Sequence, residues 1–404
     1  MNFTKHYDVI VAGAGMAGIA AALETARSGL RTALVEKTVF PGGLATSGLV
    51  YFYLPICDGY GRQVNFGIAE ELLHVSYQCG PGEVPANWRQ STFEKPLGRY
   101  RVDFSPAAFI LALDYLLTEA NVDIWYDTLI CQTIVESNRA VGLEVENKSG
   151  RGGLRASIII DATGDGDVCF RAGCPFDEET NKTTLWAMQA SLERAREAVA
   201  KNDGTRLMYF HQIGSEGKEI QGDIKSKTYP WKGTDGRSVS NFLLKGRSLL
   251  REHYEKMRGK GQRRQDLFPV TLPAMAQFRT TRAIRGRFTL MAGMAGQRFE
   301  DSIALAADWR KRGSVWEIPY GCLIPSVTGL ITAGRCISSV GDAWEVTRSI
   351  PIAAHTGQVA GISARLSIAQ NRTPDTLPIT DLHAELRQKQ MPYHLADLAP
   401  QDEK

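Results

Sequence analysis

The sequence has 404 residues, of which 43% are hydrophobic and 23% are charged, and its formal net charge is +3. Such a chain has enough apolar residues for a sizeable core and enough length for two or three structural units. The small net charge argues against an obligatory polyanionic partner. No apolar run is long enough to span a bilayer, because three glycines interrupt residues 9–23.

The compartment is indicated by the N-terminus and the cysteines. A glycine-rich motif begins at Gly13, so we expect no secretory leader before it. The seven cysteines include no CxxC pair, so we expect no disulfide framework, zinc site or iron–sulfur cluster. We therefore predict a cytoplasmic protein without a metal, in which the closest cysteines, Cys169 and Cys174, are small buried apolar residues.

The first element is the stretch VIVAGAGMAGIAAALETARSGLRTALVEK, residues 9–37, which predicts a strand, a glycine turn, a helix and a second strand. Gly13 suits a tight turn, Gly15 lets the backbone approach a pyrophosphate, and Gly18 lets the helix pack on the strand. Glu36 ends the second strand, where an acid binds a ribose hydroxyl and disfavours a 2′-phosphate. The predicted contacts to an adenosine dinucleotide are Gly13, Gly15, Met16, Ala17, Gly18, Glu36 and Lys37.

The next segments are expected to surround that site. Residues 42–50 form a loop of small residues, suited to backbone lying against a planar ligand. Residues 51–101 are aromatic and loop-rich, and we expect them to wrap around the site. Ser105 as N-cap and Pro106 at the first helical position predict a helix.

The following pattern predicts extended chain. Residues 121–137 are extended, and Val141, Leu143 and Val145 alternate along one face of a strand. A turn at 149–153 then leads into a buried strand around Ile159. We predict a β-meander that feeds a central strand.

The character of the chain changes between residues 177 and 315. Residues 185–201 are predicted to be helical. Residues 245–264 contain eight Lys or Arg against two acids. We favour the solvated face of a helix for this basic segment over a nucleic-acid patch.

The last third returns to strand-forming residues. Leu330 and Ile331 enter a glycine turn, a long helix begins near Pro351, and the tail holds one short amphipathic helix. The predicted organisation is a discontinuous domain of residues 1–177 and 316–378, an inserted domain of residues 178–315, and a C-terminal helix and tail of residues 379–404.

Three separated motifs, GAGMAG, IIIDATGDGD and LITAGRCISS, together resemble the flavoprotein disulfide reductase and fumarate reductase class. The sequence is more closely similar to the FAD-dependent oxidoreductase family related to the flavin subunit of heterodisulfide reductase and to xanthan-lyase-like proteins. That similarity rests also on GGLATSGL, RFEDSIALAADW, EIPYGCLIP and RSIPIAAHTGQVAG. It implies an α/β protein with a discontinuous Rossmann-like domain, a parallel sheet plus β-meander, and an inserted α+β substrate or cap domain.

The resemblance also implies which residues hold a non-covalently bound FAD. Residues 42–46 would lie along the pyrophosphate and flavin, and the turn at 161–164 would approach the nucleotide. The helix that follows Ser349 would direct its N-terminus at the flavin, where negative charge accumulates on reduction. The residues implied in these segments are Gly42, Gly43, Thr46, Asp161, Ala162, Thr163, Gly164, Gly334, Arg335, Asp342 and Ile350. For Asp161 the alternative is a turn cap, and for Asp342 an ion pair with a nearby arginine.

Chemistry beyond the flavin requires cations and proton donors. Arg348 resembles an arginine that related enzymes carry before the final helix, where a guanidinium binds a carboxylate; the alternative is an ion pair with a neighbouring acid. Arg279 and Arg282 lie three residues apart and would share one side of a helix or turn. The candidates for proton transfer are Tyr209, His211, Tyr320 and His355, and His355 is more typical of packing.

The sequence departs from the family pattern at two positions near the predicted active site. Many relatives have an arginine after IPY and a histidine before the final helix, where this chain has Gly321 and Gly341. A reaction that depends on those side chains is therefore in doubt here.

We expect an enzyme that transfers hydride between flavin N5 and a small organic substrate of acidic or polar character, with a diffusible electron donor or acceptor. One alternative is a flavin-dependent monooxygenase that uses NAD(P)H and oxygen. Another is a flavin-binding, RNA-associated protein with little turnover. The sequence indicates neither the direction of reaction nor the oligomeric state.

Overall fold

The computed structural model describes residues 1–54, 56–84, 101–214 and 231–398. Parts of the loop-rich segment predicted at 51–101 therefore lie outside the described residues. The chain forms two compact units. The first comprises Met1–Gly43, Phe52–Asp177 and Arg282–Lys404, and the second comprises Leu44–Tyr51 and Glu178–Thr281.

The main sheet of the first unit is built around one long strand. Its strands are β1 (Phe3–Ala12), β2 (Thr32–Val35), β5 (Asp123–Trp125), β6 (Leu129–Glu136), β7 (Arg139–Asn147), β8 (Gly150–Asp161) and β18 (Leu330–Thr332). Within the described residues their order is β5-β2-β1-β8-β7-β6, and β18 also pairs with β8. The strands β5, β2, β1, β8 and β18 run parallel, whereas β6, β7 and β8 form an antiparallel meander.

The long strand β8 reaches both parts of the sheet because its two halves have different partners. Its first half pairs with β7, and its second half, Ile159 to Asp161, pairs with β18. Ile158, Ile159 and Ile160 are fully buried, as expected for a strand covered on both faces. The Rossmann-like sheet with its β-meander, predicted from the sequence, is confirmed.

The remaining strands of the first unit are short. They are β3 (Phe52–Tyr53), β4 (Val102–Asp103), β9 (Phe176–Glu178, which ends in the second unit), β15 (Arg282–Ile284), β16 (Ser302–Ala307) and β17 (Val315–Pro319). The helices are α1 (Met16–Arg27), α2 (Ile68–Val75), α3 (Pro106–Glu119), α4 (Asp167–Arg171), α7 (Asp342–Thr347), α8 (Ile350–Ala369) and α9 (Ile379–Gln388).

Local signals explain where several helices begin. Ser105 caps α3, with its side chain accepting the N–H of Ala108 at 3.4 Å, and Pro106 occupies the first turn as predicted. Helix α8 begins at Ile350, one residue before the expected Pro351. Helix α2 lies inside the segment that we expected to be loop-rich, so that expectation is wrong for Ile68–Val75.

The first unit extends beyond the boundaries drawn from the sequence. The inserted domain was expected to run to residue 315, but the chain returns to the first unit at Arg282. The reason is tertiary packing: β16 packs against α8. The C-terminal segment is also part of this unit, because Leu382 and Leu386 are fully buried and the N–H of Leu395 donates to Glu317 at 2.9 Å.

The second unit contains the strands β10 (Thr180–Asn181), β11 (Thr184–Ser191), β12 (Tyr209–Gly214), β13 (Trp231–Lys232) and β14 (Leu267–Thr271), and the helices α5 (Leu192–Lys201) and α6 (Gly236–Gly259). Its antiparallel sheet has the order β12-β11-β14. One continuous helix over 185–201 was predicted, which is wrong for the first half: Thr184–Ser191 is a strand, because β12 and β14 pair with it on both sides.

Helix α6 carries much of the basic segment. Leu250 and Tyr254 are buried against the sheet, with Leu185 in the same core cluster. Arg251 and Lys256 are both exposed, on the solvent-facing surface of the same helix. The basic side chains therefore lie on an exposed helix face, and the preference for a solvated face over a nucleic-acid patch stays a prediction. Among the described residues, no helix has the length and apolar character needed to cross a membrane.

Candidate functional site

The turn after β1 admits only glycine at two positions. Gly13 has φ +92°, and a β-carbon there would lie 2.7 Å from the Ala162 carbonyl oxygen. A β-carbon on Gly18 would lie 1.8 Å from the Gly13 carbonyl oxygen. The turn therefore packs backbone to backbone, both against the first turn of α1 and against the chain leaving β8.

Gly15 is different, because its missing side chain leaves open space. It is the N-cap of α1 with φ −70°, and no atom of the described chain lies within 4 Å of a β-carbon built on it. The first N–H groups of a helix lack intrahelical acceptors and carry the positive end of its dipole. The Gly42 N–H donates to the Ala14 carbonyl at 2.7 Å, and a β-carbon on Gly43 would lie 3.1 Å from the Gly15 Cα. The result is a groove walled by backbone at a helix N-terminus.

Glu36 closes one end of this groove. Its carboxylate is buried, and Oε2 accepts the Ala14 N–H at 2.9 Å. Oε1 accepts the N–H and the hydroxyl of Thr38, both at 2.9 Å. These bonds fix the carboxylate beside the glycine turn. Oε1 already accepts two hydrogen bonds, whereas Oε2 accepts one and retains a lone pair for a ribose hydroxyl. The neighbouring Lys37 is exposed.

Asp161 holds the turn that follows β8. One carboxylate oxygen accepts the N–H and hydroxyl of Thr163 at 3.1 and 2.7 Å, and the other accepts the Cys169 N–H at 2.9 Å. Burial raises the pKa of Asp161, against the lowering effect of these hydrogen bonds. The Asp161 side chain therefore caps this turn, which was the alternative to a direct contact with the nucleotide. The backbone of the same turn packs against Gly13.

Arg335 joins this turn to the one after β18. Its Nε donates to the Gly164 carbonyl at 2.8 Å, and its guanidinium pairs with Asp165. Its side chain is largely buried. The arginine therefore ties two of the predicted nucleotide-binding turns to each other.

The turn after β18 also contacts both long helices. A β-carbon on Gly334 would lie 2.8 Å from the Ala17 Cβ, and the Gly334 N–H donates to the Thr356 hydroxyl at 3.0 Å. Ser349 is the N-cap of α8 and Ile350 its first residue. The N-terminal turn of α8 is thus beside the same turn that meets α1.

The structure brings together most of the implied nucleotide residues. In the first unit, the turns at 13–18, 42–43, 161–165 and 334–335 adjoin one another through the contacts just described. Asp342 begins α7 and pairs with Arg310 at 2.7 Å, which lowers the pKa of its carboxyl. Thr46 belongs to the second unit, where it is buried and its carbonyl accepts the Leu49 N–H at 3.0 Å.

The sequence profile of the family described as "FAD dependent oxidoreductase" matches residues 8–192 and 177–386. This match covers most of the chain, including each of the four turns. The chain belongs to the FAD dependent oxidoreductase family. It is therefore an FAD enzyme, and the cofactor and oxidoreductase class expected from the sequence are confirmed.

Two relatives of this chain have names that describe different activities. The oxidoreductase is 31% identical over 219 residues to thiamine thiazole synthase of Aeropyrum pernix, over 50% of this chain and 71% of that protein. It is 26% identical over 254 residues to digeranylgeranylglycerophospholipid reductase of Picrophilus torridus, covering 58% of this chain and only 55% of that protein.

A solved structure shares the fold. The geranylgeranyl bacteriochlorophyll reductase-like protein of Thermoplasma acidophilum aligns with a TM-score of 0.50 and 15% identity, over 98% of this chain and 86% of that chain. At this identity the likeness supports the α/β flavoprotein fold alone.

The residues of the groove fit FAD. The open space at Gly15 matches a pyrophosphate at a helix N-terminus, and Glu36 matches a ribose hydroxyl. When bound, FAD supplies hydride or electron transfer. The backbone of 13–18 would hold the dinucleotide, and α8 would present the positive end of its dipole.

The arginines proposed for catalysis in the first unit pair with acids. Arg282 is buried, lies 3.0 Å from Asp167, and stacks over the Phe170 ring at 4.1 Å from its centroid. Arg348 ends α7 and pairs with Glu345. For Arg348, an ion pair with a neighbouring acid was the alternative to a catalytic role, and the structure shows that ion pair. Its catalytic role stays a prediction.

Tyr320 and His355 are buried in the first unit. The Tyr320 hydroxyl bonds Ser363 and donates to the Pro374 carbonyl at 2.9 Å, and burial raises its pKa. His355 Nδ1 lies 3.3 Å from the Asn65 amide nitrogen, and burial lowers the pKa of the imidazole to about 4. Both side chains pack α8 into the core.

The second unit holds the other three candidates, of which Tyr209 begins β12 and lies under the Arg194 guanidinium, 4.9 Å from its ring centroid. His211 lies on β12, and its ring stacks on that of His253 on α6 with centroids 4.0 Å apart. The Arg279 N–H donates to Asn181 at 2.9 Å, and its side chain is half-buried. Arg279 lies at a bend and Arg282 on β15, so neither is on a helix, and they belong to different units.

The second unit also has an aromatic face that the sequence did not predict. Tyr51 stacks on Phe210 of β12 with ring centroids 3.7 Å apart, and it meets Trp186 of β11 edge-on at 5.9 Å. The strand register places Phe210 opposite Met188, on the side of the sheet away from the core side chain Leu185. We call Tyr51, Trp186, Met188 and Phe210 the aromatic face. Residues 185–188, LWAM, show no alternation of apolar and polar residues, so the local sequence contained no signal for this face.

Proposed function

We propose that this FAD oxidoreductase acts on an apolar organic substrate by hydride transfer with flavin N5. We also propose that the aromatic face of the second unit recognises apolar groups. The observation that carries the substrate class is the stacked pair Tyr51 and Phe210, flanked by Trp186 and Met188. Flat rings and a thioether offer a large, polarisable surface for apolar or unsaturated groups.

The ion pairs near the predicted site favour an apolar substrate over an anionic one. Arg282, Arg335 and Arg348 each pair with an acidic side chain of the same unit. A guanidinium that is already neutralised by a carboxylate gains less from a substrate carboxylate. The polar or acidic substrate expected from the arginines therefore has less support than an apolar one.

One relative points the same way. The Picrophilus torridus protein is by name a reductase of digeranylgeranylglycerophospholipid. We propose a substrate of the same apolar character for this chain, without extending that name to it.

The electron donor or acceptor is proposed to be a diffusible small molecule, and the location to be the cytoplasm. All seven cysteines are free thiols, which suits a reducing compartment. We propose no nucleic-acid partner, since the net charge of +3 is small for a chain of this length.

The test is a reaction panel with purified holoenzyme under anaerobic conditions. Dithionite-reduced enzyme is mixed with geranylgeraniol in detergent micelles, with 2-cyclohexenone or with fumarate, and the visible flavin band is followed. We expect the apolar compounds to reoxidise the flavin faster than fumarate does. Reoxidation by fumarate alone would overturn the substrate class.

Two further arms separate the alternatives. Rapid bleaching by NADPH, followed by oxygen consumption coupled to substrate hydroxylation, would identify a monooxygenase. Tyr51→Ala is expected to slow reoxidation by the best apolar compound with FAD content unchanged. Its matched control is Tyr115→Ala, since Tyr115 is 62% exposed on α3 of the first unit. Equal effects of the two variants would refute a role for the aromatic face.

A further inference from the structure

Helix α4 ends in a turn that brings two cysteines together. Gly173 has φ +83°, the Cys174 N–H donates to the Cys169 carbonyl at 2.9 Å, and the Gly173 N–H donates to Phe170 at 3.0 Å. This is a Schellman ending, in which the side chains at the two positions joined by the longer bond contact each other. Here those side chains are the thiols of Cys169 and Cys174.

The turn lies at the surface although the thiols are largely covered. Cys169 is 1% exposed and Cys174 is 4% exposed. The residues on both sides of Cys174, Gly173 and Pro175, are exposed, and no described atom lies within 4 Å of a β-carbon built on Gly173. A small neutral oxidant therefore has a short path to Cys174.

The two thiols differ in acidity. A hydrogen bond from the Cys169 side chain lowers the pKa of Cys174 to about 7, and the Val327 backbone and Ser326 side chain act in the same direction. The same thiol contact, together with burial, raises the pKa of Cys169. Cys174 is therefore the more acidic thiol of the pair, and the thiolate is the reactive form of cysteine.

We propose that Cys169 and Cys174 are an oxidisable dithiol, which hydrogen peroxide converts into a disulfide across the end of α4. The Cys174 sulfur attacks one peroxide oxygen, an S–O bond forms as the O–O bond breaks, and the leaving hydroxide takes a proton to become water. The Cys169 sulfur then attacks the Cys174 sulfenic acid, an S–S bond forms, and a second water leaves. Both sulfurs are oxidised and one peroxide is reduced to two waters.

This modification site adjoins the cofactor site. The Cys169 N–H donates to the Asp161 carboxylate at 2.9 Å, and that carboxylate also holds the Thr163 turn. The proposal does not depend on the substrate of the enzyme, because it concerns only the chain's own thiols.

The sequence offers a direct readout by mass spectrometry. Trypsin cuts after Arg171, which separates Cys169 in residues 156–171 from Cys174 in residues 172–182. Holoenzyme is treated with peroxide, alkylated in denaturant and digested without reductant. We expect a cross-linked pair of these two peptides that phosphine reduction separates. Cys322, which is buried and whose thiol pKa burial raises, is expected to stay fully alkylated in the same digest.

Single variants identify the order of attack. Cys169→Ser should leave a Cys174 sulfenic acid that dimedone traps, whereas Cys174→Ser should leave Cys169 unmodified. Retained FAD absorbance checks that each variant folds, and the wild-type digest decides the proposal without them. Full alkylation of both Cys169 and Cys174 at peroxide concentrations that oxidise the exposed Cys79 would overturn it.

Discussion

Gly357 of α8 packs directly on Ala17 of α1: a β-carbon at Gly357 would lie 2.0 Å from the Ala17 carbonyl oxygen. Ala17 is also the residue that Gly334 approaches. One small residue near the N-terminus of α1 thus sets the distance between two helices and the turn after β18.

Replacement of Gly357 by alanine should force α8 away from α1. We expect the free energy of unfolding to fall by about 1–3 kcal/mol, the usual cost of overpacking, together with weaker FAD retention. Urea denaturation and the flavin content of the purified variant measure the two effects. Gly236→Ala at the start of α6, where a β-carbon meets nothing within 4 Å, is the matched control. Equal stability of the two variants would contradict the packing argument.

Replacement of Gly15 by valine should separate cofactor binding from folding. The position has φ −70° and open space around its β-carbon, so the side chain causes no strain in the protein itself. We expect a folded protein that has lost FAD, because the side chain occupies the approach of the pyrophosphate. Circular dichroism and visible absorbance test this. Gly204→Val, at another open glycine, should keep its FAD. Full flavin content in the Gly15 variant would exclude this placement of the cofactor.

Two variants distinguish the roles of Arg348. Arg348→Ala is expected to retain FAD and lower kcat at least tenfold with the best compound of the reaction panel. Glu345→Gln removes the same ion pair but keeps the guanidinium, so it should retain most of the turnover if the charge of Arg348 acts in the reaction. If both variants lose turnover equally, the pair only positions the loop. Loss of FAD from Arg348→Ala would assign the arginine to cofactor binding.

Burial of His355 makes stability depend on pH. Burial lowers its pKa from 6.5 to about 4. Between pH 4 and pH 6.5 this histidine is therefore protonated in the unfolded chain and neutral in the folded protein. The stabilisation is complete above pH 6.5 and is lost as pH falls toward 4, by about 3 kcal/mol.

His355→Gln should flatten that pH dependence, since glutamine does not titrate and can still accept from the Asn65 amide. Urea titrations at several pH values between 7 and 4 give the slope. His6→Gln, at an exposed histidine, is the control and should leave the slope unchanged. An unaltered slope in His355→Gln would show that other groups cause the acid sensitivity.

The sequence by itself determined the cofactor half of this protein. The glycines at 13, 15 and 18, the acid at 36 and the cap at Ser105 belong to motifs within short stretches of chain, so their spacing is readable without a structure. The order of the family motifs supplied the discontinuous sheet. The buried pair Cys169 and Cys174 was also predicted, but not that a helix ending would place the two thiols in contact.

Only the tertiary structure decided which arginines form ion pairs and where the second unit ends. Arg282 meets Asp167, and Arg335 meets Asp165, across more than a hundred residues of chain. Residues 184–191 have a helical composition but become a strand because two other strands pair with them. Ion pairs and strand pairing depend on partners that are distant in sequence, so a local sequence pattern does not predict them.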